Sequence, residues 1–238
     1  HGVNTKVFKP LENSRELKNK YNIPEDAFVV GNVGANKAFP ARKGFPEMMQ
    51  AFRELSRRHN DAVLYIHSCP SNQMGGPDLI DMASAYGILD KVVFTKPYPY
   101  LLGLSEEQLV ELYNTFDVFF GPSHSEGFFL PLIEAMACGL DTITTNFTAQ
   151  RELVSPNGFL INPSHYEYMP LGSWHCRANV GECIDALEEV YKRGGKTPKT
   201  IMEARQFASE FDWGEVINYW GPIIKRMYND IQERRYKL

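Results

Sequence analysis

The sequence predicts an α/β protein: a doubly wound, open parallel sheet with a long C-terminal helix. Short strand-like runs alternate with longer amphipathic segments along the chain, which is the pattern of repeated βαβ units. The run Ala27 to Gly34 (AFVVGNVG) is typical of a buried strand that closes on glycines. The last amphipathic segment, 212–238, extends to the end of the chain. One open-sheet domain is the simplest arrangement of these segments.

Local signals place the elements in order. Ser105 with Gln108 three residues later is a capping box that begins a helix. Pro131 near the start and Gly139 just past the end bracket a helix over 128–138. The predicted strands are 27–34, 62–67, 92–95, 117–121, 141–145 and 158–161. The predicted helices are 45–59, 79–87, 105–113, 128–138, a weaker one at 149–154, 180–193, 201–211 and the last from 212.

Composition excludes several classes of function. The chain has 238 residues, 43% of them hydrophobic, and 25 Lys+Arg against 29 Asp+Glu give a net charge of −4. That balance argues against a broad basic surface for nucleic acid. No apolar run approaches the ~20 residues of a membrane span, and residues 1–10 lack the pattern of a signal peptide, so we expect a cytoplasmic chain. The four cysteines show no C-x2-C spacing, so no metal site is predicted.

In open α/β sheets, ligands bind at the carboxyl ends of the strands, and the loop 34–44 (GANKAFPARKG) follows such an end. Its Lys37, Arg42 and Lys43 suit an anion. The loop has neither the G-x-G-x-x-G nor the G-x-x-x-x-G-K-[ST] pattern, so no dinucleotide fingerprint or Walker loop is predicted. A merely solvated basic loop is the alternative.

The loop 122–128 leads into a helix whose only charged residue is Glu134. Burying that carboxylate without a partner would cost several kcal/mol, so it needs hydrogen-bond donors or a cleft where ligand hydroxyls supply them. The alternative is a glutamate that complements the helix dipole. The same helix N-terminus, near Phe128 and Leu130, is suited to a phosphate.

The segment from Glu126 to Gly139 (EGFFLPLIEAMACG) resembles the Glu-x7-Glu motif of retaining GT-B glycosyltransferases, family 4 or group 1 type. Its flanks agree in order and spacing at 117–123, 144–152 and 157–163. Arg42-Lys43-Gly44 resembles the phosphate-binding Lys-Gly of that family, and residues 1–10 resemble its interdomain hinge. The resemblance covers nearly the whole chain.

The resemblance implies the C-terminal, donor-binding part of a two-domain enzyme. Residues 1–10 would be a hinge remnant, 11–211 the donor-binding domain, and 212–238 a helix that packs on its own sheet or on a missing N-terminal acceptor domain. The implied reaction moves a hexose from a nucleoside-diphosphate sugar to an acceptor glycan, lipid or small molecule, with retention. No cofactor is implied, and the lack of any Asp-x-Asp agrees with metal independence. The chain alone would bind donor and transfer nothing.

The resemblance also implies roles for particular residues. The implied catalytic residues are Glu126, which would hold the transferred sugar, and Lys43 with Arg42, which would neutralise the leaving diphosphate. The implied donor-binding residues are Glu134 for the ribose, Gly127, Phe128, Phe129 and Leu130 for sugar and diphosphate, and Lys96, Pro97 and Tyr98 for the base. Three positions depart from the family pattern: Phe129 stands where glycine is frequent, Asp141 where proline is, and Asn32 where arginine is.

Other functions compete with this one. A glycoside hydrolase would use Glu126 and Glu134 as its pair of carboxylates, but about six strands cannot form an eight-stranded barrel. A sugar-nucleotide epimerase or phosphorylase on the same scaffold, and a non-catalytic nucleotide-sugar-binding module, are the alternatives kept. Mannose, glucose and N-acetylhexosamine donors on uridine, guanosine or adenosine diphosphate are all open.

Overall fold

The computed structural model describes residues 1–37, 40–96, 102–170 and 172–235. Within these residues, six parallel strands form one sheet in the order β3-β2-β1-β4-β5-β6. The strands are β1 Phe28–Val33, β2 Ala62–His67, β3 Val92–Phe94, β4 Val118–Gly121, β5 Thr142–Thr145 and β6 Phe159–Ile161. This order, with its switch between β1 and β4, is that of the doubly wound fold, and it confirms the predicted fold class.

Helices cover both faces of the sheet. They are α1 Ser14–Lys20, α2 Phe45–Arg58, α3 Leu79–Ala85, α4 Glu106–Asn114, α5 Leu130–Ala137, α6 Val180–Lys192, α7 Pro198–Ser209 and α8 Trp213–Arg235. Short 3-10 turns lie at Asn72–Met74, Leu89–Lys91 and Thr148–Glu152. The capping box predicted from Ser105 and Gln108 is present at the start of α4.

Two apolar layers hold the sheet between the helices. On one face, α2, α3 and α6 pack against Val30, Leu64 and Phe120. On the other face, α4, α5 and α7 pack against Val29 and Phe119. Neighbouring residues of one strand enter opposite layers because strand side chains alternate, so every central strand is buried on both sides.

The structure corrects the sequence prediction at four places. The weak helix predicted over 149–154 is the 3-10 turn Thr148–Glu152. The helix α7 begins at Pro198, three residues before the predicted start, because the Thr197 side chain caps it. The helix α1 was not predicted, since only Leu17 of its mostly polar sequence is buried.

The fourth correction is an antiparallel hairpin between β6 and α6. Its strands are β7 Pro163–Met169 and β8 Ser173–Ala178. Their sequences, PSHYEYM and SWHCRA, mix polar and aromatic residues without regular apolar alternation, so they do not read as strands.

The N-terminal segment of the chain meets the start of the last helix. The backbone of Val3 exchanges hydrogen bonds with Phe211 and Trp213, and the Thr5 hydroxyl donates to Asp212 at 2.5 Å. From this junction α8 extends with most of its apolar side chains exposed, such as Trp220 at 55% and Tyr219 at 74%. Among the described residues, every helix is too short or too polar to span a lipid bilayer.

Candidate functional site

The sheet topology brings two predicted loops together. The strands β1 and β4 are hydrogen-bonded neighbours, yet the helices that follow them, α2 and α5, cover opposite faces. The described residues of the loops 34–44 and 122–128 therefore lie at the switch point of the sheet, where doubly wound folds bind ligands. Both predicted loops lie at this one place.

The two loops are in direct contact. The backbone N–H of His124 donates to the carbonyl oxygen of Arg42 at 2.8 Å, and the Ser123 hydroxyl oxygen lies 3.1 Å from the same oxygen. Gly44 permits this approach, because its φ is +68° and an added Cβ would lie 2.0 Å from the Pro122 carbonyl oxygen. The loop after β1 is thus fixed against the loop after β4.

The three residues predicted to be catalytic form one cluster. The Glu126 carboxylate receives Lys43 Nζ at 2.5 Å on one oxygen and Arg42 Nη1 at 2.7 Å on the other. The Ser123 hydroxyl also donates to it, at 2.7 Å. The side chains of Glu126 and Lys43 are 7% and 11% exposed, whereas that of Arg42 is 38% exposed. Two cations against one carboxylate leave one positive charge in excess at this point.

The electrostatics keep Glu126 ionised. Burial alone would raise the pKa of Glu126, but Lys43, Arg42 and the Ser123 hydroxyl together lower it below its ordinary value. Burial lowers the pKa of Lys43, and the Glu126 carboxylate opposes that shift. Lys43 Nζ also lies 4.4 Å from the centre of the Phe129 ring, a cation–π contact that helps to hold the ammonium in place.

The N-terminus of α5 lies beside this cluster. Phe129, its N-cap, has φ +79° and ψ +63°, the left-handed conformation that glycine adopts readily. The residue is 5% exposed and its ring packs against Phe119, so its burial offsets the backbone strain. Although Phe129 replaces the glycine frequent in the family pattern, the backbone at this position keeps a glycine-like conformation. The first N–H groups of α5 form the positive end of its dipole.

The two residues before Phe129 differ in their surroundings. Phe128 packs against His1 and Phe211, with ring centroids 5.1 and 6.0 Å apart. A Cβ added to Gly127 would meet no atom within 4 Å. Gly127 therefore faces open space, and packing within the chain does not require a glycine there.

Glu134 lies on α5 four residues after Leu130, about 6 Å further along the helix axis. Its Oε2 accepts a hydrogen bond of 2.7 Å from the hydroxyl of Tyr113, which is wholly buried. Burial raises the pKa of Glu134, and the Tyr113 hydrogen bond opposes that shift. The structure thus provides the donor that the sequence required for this carboxylate, and Tyr113 fixes the side chain.

Lys96 follows β3 and lines a cavity of about 240 Å³ together with Tyr65 and Thr95. Pro97 and Tyr98, the other residues predicted for the base, lie outside the described residues. The rings of Tyr65 and Tyr113 both contact Phe116, at 5.8 and 6.0 Å. A single aromatic ring therefore links the residues that line this cavity to the partner of Glu134.

Several supporting residues were missed by the sequence analysis. The Thr148 hydroxyl accepts from the backbone N–H of Glu126 at 3.0 Å, and the buried Gln150 amide donates to the Ser123 carbonyl at 3.0 Å. Both residues lie in the flanking segment 144–152, but nothing in one sequence shows which loop they contact. Tyr113 was missed for the same reason, since its position in a helix indicates only that it is buried.

Comparison with known proteins now identifies the family. Residues 13–169 match the sequence profile of the family described as Glycosyl transferases group 1. The chain belongs to this family. The family description names glycosyl transfer as the reaction. An epimerase, a phosphorylase or a non-catalytic binding module is therefore not favoured for this chain.

Individual relatives agree with this assignment. The group 1 chain is 26% identical over 238 residues to a D-inositol 3-phosphate glycosyltransferase of Mycolicibacterium smegmatis, a match that covers 98% of the chain and 48% of that protein. Sucrose-phosphate synthase from Thermosynechococcus elongatus has a TM-score of 0.76 at 20% identity, over 96% of this chain and 52% of that one. Anabaena Alr3699/HepE, solved in complex with UDP-glucose, has a TM-score of 0.74 at 18% identity, over 94% of this chain and 56% of that one.

The structural matches show that the group 1 chain shares the Rossmann-like fold of GT-B glycosyltransferases. The chain spans about half the length of the relatives that it matches here, with 48% to 56% of each covered.

Proposed function

We propose that residues 11–211 bind a nucleoside-diphosphate sugar and that the whole enzyme transfers the hexose to an acceptor with retention of configuration. The observation that carries the proposal is the cluster of Lys43, Arg42 and Glu126 beside the N-terminus of α5. Cations, a helix N-terminus and a carboxylate at one switch point suit a ligand that joins a diphosphate to a sugar. The UDP-glucose bound by Anabaena Alr3699/HepE supports this class of ligand.

The diphosphate is assigned to Lys43, Arg42 and the backbone N–H groups around Phe128 to Leu130. Charge grows on the leaving diphosphate as the bond to the sugar breaks, so fixed cations and a helix dipole stabilise the transition state more than the ground state. Lys43 is buried and held, so it needs little reorganisation at that moment. Because these groups supply the positive charge, we expect donor binding without added metal.

The two glutamates are assigned different hydroxyl groups. Glu126, kept ionised by its two cations, accepts hydrogen bonds from the transferred sugar, and the open space at Gly127 leaves room for it. Glu134, fixed by Tyr113, accepts from the ribose. The base is assigned to Lys96, Pro97 and Tyr98.

The proposal requires a preceding acceptor domain, which we place next to the contact between residues 1–10 and the start of α8. Residues 1–10 and the start of α8 are bonded to each other through Thr5 and Asp212, so a preceding domain would emerge beside α8. The exposed apolar side chains of α8 give such a domain a surface to pack on. The 238-residue chain alone is therefore expected to bind donor and to transfer nothing.

Calorimetric titration without metal tests the proposal. At least one of UDP, GDP and ADP, or a sugar conjugate of it, should bind, and Lys43→Ala or Glu134→Gln should weaken binding by about 10- to 100-fold, since each removes a charge-assisted hydrogen bond. Lys199→Ala, which changes a 74% exposed lysine on α7, is the matched control and should leave binding unaltered. Equal affinities in wild type, Lys43→Ala and Glu134→Gln would refute the assignment.

A further inference from the structure

The hairpin β7–β8 exposes three large aromatic side chains. Tyr166, Tyr168 and Trp174 are 51%, 61% and 56% exposed. The family match ends at residue 169, so β8, with Trp174, lies outside the matched region. Exposed aromatic rings in a cluster are typical of a surface that binds something.

The register of the hairpin places these rings on one face. Tyr168 is directly opposite Trp174, and Tyr166 is opposite Cys176. The rings of Tyr168 and Trp174 meet edge to face, with centroids 5.2 Å apart, and Tyr166 meets Phe147 in the same way at 5.5 Å. Trp174, Tyr168, Tyr166 and Phe147 are called the aromatic row below.

One end of the aromatic row adjoins the candidate site. Phe147 precedes Thr148, whose hydroxyl accepts from the backbone N–H of Glu126. Cys176 donates its N–H to the carbonyl oxygen of His124 at 3.0 Å, two residues before Glu126. Trp174 lies two residues from Cys176, about 7 Å along the strand. The row therefore extends outward from the loop that carries the proposed sugar-binding carboxylate.

The hairpin is firmly attached at this end. On its opposite face, Arg177 pairs with Glu47 at 3.3 Å, and Glu47 also pairs with the buried His124 at 3.1 Å. Cys176 is 1% exposed. A fixed platform loses little conformational freedom when a ligand binds.

The chemistry of the row fits a saccharide better than a lipid or an aliphatic protein surface. The negative π face of an aromatic ring attracts the C–H groups on the apolar side of a pyranose ring. Tyrosine hydroxyls and the indole N–H offer hydrogen bonds to sugar hydroxyls at the ring edges. The strands PSHYEYM and SWHCRA contain no valine, isoleucine or leucine that would extend the row into an aliphatic surface.

We infer that the aromatic row is a subsite for a saccharide acceptor, which stacks on Tyr168 and Trp174 with its reacting end toward Glu126. This inference rests on the proposed function and narrows the acceptor classes that the sequence left open to a glycan. The saccharide is oriented here by ring stacking, and the donor is bound independently by the charged cluster.

Tryptophan side-chain NMR signals test the subsite in the 238-residue chain. Mannotriose, maltotriose and chitotriose are the probes, each titrated separately, and UDP, GDP and ADP are titrated into the same samples. At least one trisaccharide should shift the Trp174 indole signal with a dissociation constant of about 1 to 10 mM. Trp174→Ala and Tyr168→Ala should each weaken that binding at least tenfold, Trp174→Phe should retain most of it, and nucleotide binding should not change.

Trp220→Ala is the matched control, because Trp220 is 55% exposed on α8, outside the row. Loss of trisaccharide binding in this variant as well, binding that survives both hairpin variants, or no trisaccharide binding while a nucleotide binds would overturn the subsite and leave the donor site intact. If the 238-residue chain self-associates, and a hairpin variant abolishes this self-association without changing trisaccharide binding, the subsite is overturned too. That result would assign the face to a second copy of the chain. Trisaccharide binding on the row without any nucleotide binding would retain the saccharide site and refute the donor-binding function.

Discussion

At the scale of single residues, Glu126 resembles an internal substitute for a phosphate. It receives Lys43, Arg42 and the Ser123 hydroxyl, the kinds of donor that bind an anionic oxygen of a ligand. The same carboxylate both orients the two cations and competes with a diphosphate for them. Its contribution to binding should therefore depend on whether the ligand carries a sugar.

Glu126→Gln separates these two effects. Removing the negative charge leaves both cations free to attract phosphate, so affinity for the bare nucleoside diphosphate should rise about 3- to 10-fold. The additional affinity that the sugar confers should fall, because an uncharged amide accepts hydrogen bonds more weakly. Calorimetry with a nucleoside diphosphate and its sugar conjugate measures both, and Glu215→Gln on α8 is the control. If Glu126→Gln bound the bare nucleoside diphosphate more weakly than the wild type, Glu126 would not compete with the diphosphate for the two cations.

Tyr113 has a comparable effect on Glu134. Its hydroxyl opposes the rise that burial causes in the pKa of Glu134. Tyr113→Phe should therefore raise that pKa further, and nucleotide affinity should begin to fall at a higher pH on acidification, because a protonated Glu134 accepts ribose hydroxyls poorly. Dissociation constants measured between pH 5 and 8 check this. If nucleotide affinity began to fall at the same pH in Tyr113→Phe as in the wild type, Tyr113 would not act through Glu134.

At the scale of elements, the site depends on the approach of two loops at Gly44. Gly44→Ala places a side chain in a left-handed conformation and drives its Cβ against the Pro122 carbonyl. The loops should separate, lowering the free energy of unfolding by about 2 kcal/mol or more and weakening nucleotide binding over tenfold. Gly127→Ala is the matched control for stability, since open space surrounds it, and its urea midpoint should equal that of the wild type. Equal midpoints for both variants would show that the close approach at Gly44 is not needed.

Elements with a strong pattern were predictable from the sequence. The strands β1 to β6 and the helices α2 to α6 lie within a few residues of their predicted ranges, because apolar periodicity and caps are local signals. The hairpin was not predictable, since its strands pair with each other and one face stays exposed, which leaves no apolar alternation. In the site, a shared role for Arg42, Lys43 and Glu126 was implied by the family resemblance, whereas the supporting contacts of Thr148 and Tyr113 are long-range.

At the scale of the whole molecule, Asp141 makes stability depend on pH. It is 1% exposed, and burial raises its pKa to about 6 although Arg193 opposes the shift at 2.5 Å. The folded state therefore binds the Asp141 proton more tightly than the unfolded state, in which the pKa of this side chain is 3.8. The stabilisation that this bound proton provides is complete below pH 3.8 and is lost as pH rises toward 6, a decrease of about 3 kcal/mol in the free energy of unfolding.

Urea unfolding of the wild type and Asp141→Asn between pH 4 and 7 measures this contribution. The difference between the two isolates Asp141 from the other carboxyl groups, several of which shift in the opposite direction. The wild type should lose stability relative to Asp141→Asn as pH rises through this range. Parallel pH profiles for the two proteins would contradict the raised pKa.

The proposed function depends on one location for the diphosphate, and amide NMR shifts on titration with nucleoside diphosphates locate it most directly. The nucleotide that binds should give its largest shifts at the backbone amides of Phe128 to Leu130 and at Lys43 and Gly44. A nucleotide that saturates the chain while leaving these amides unchanged, with its shifts confined elsewhere, would contradict the proposed function.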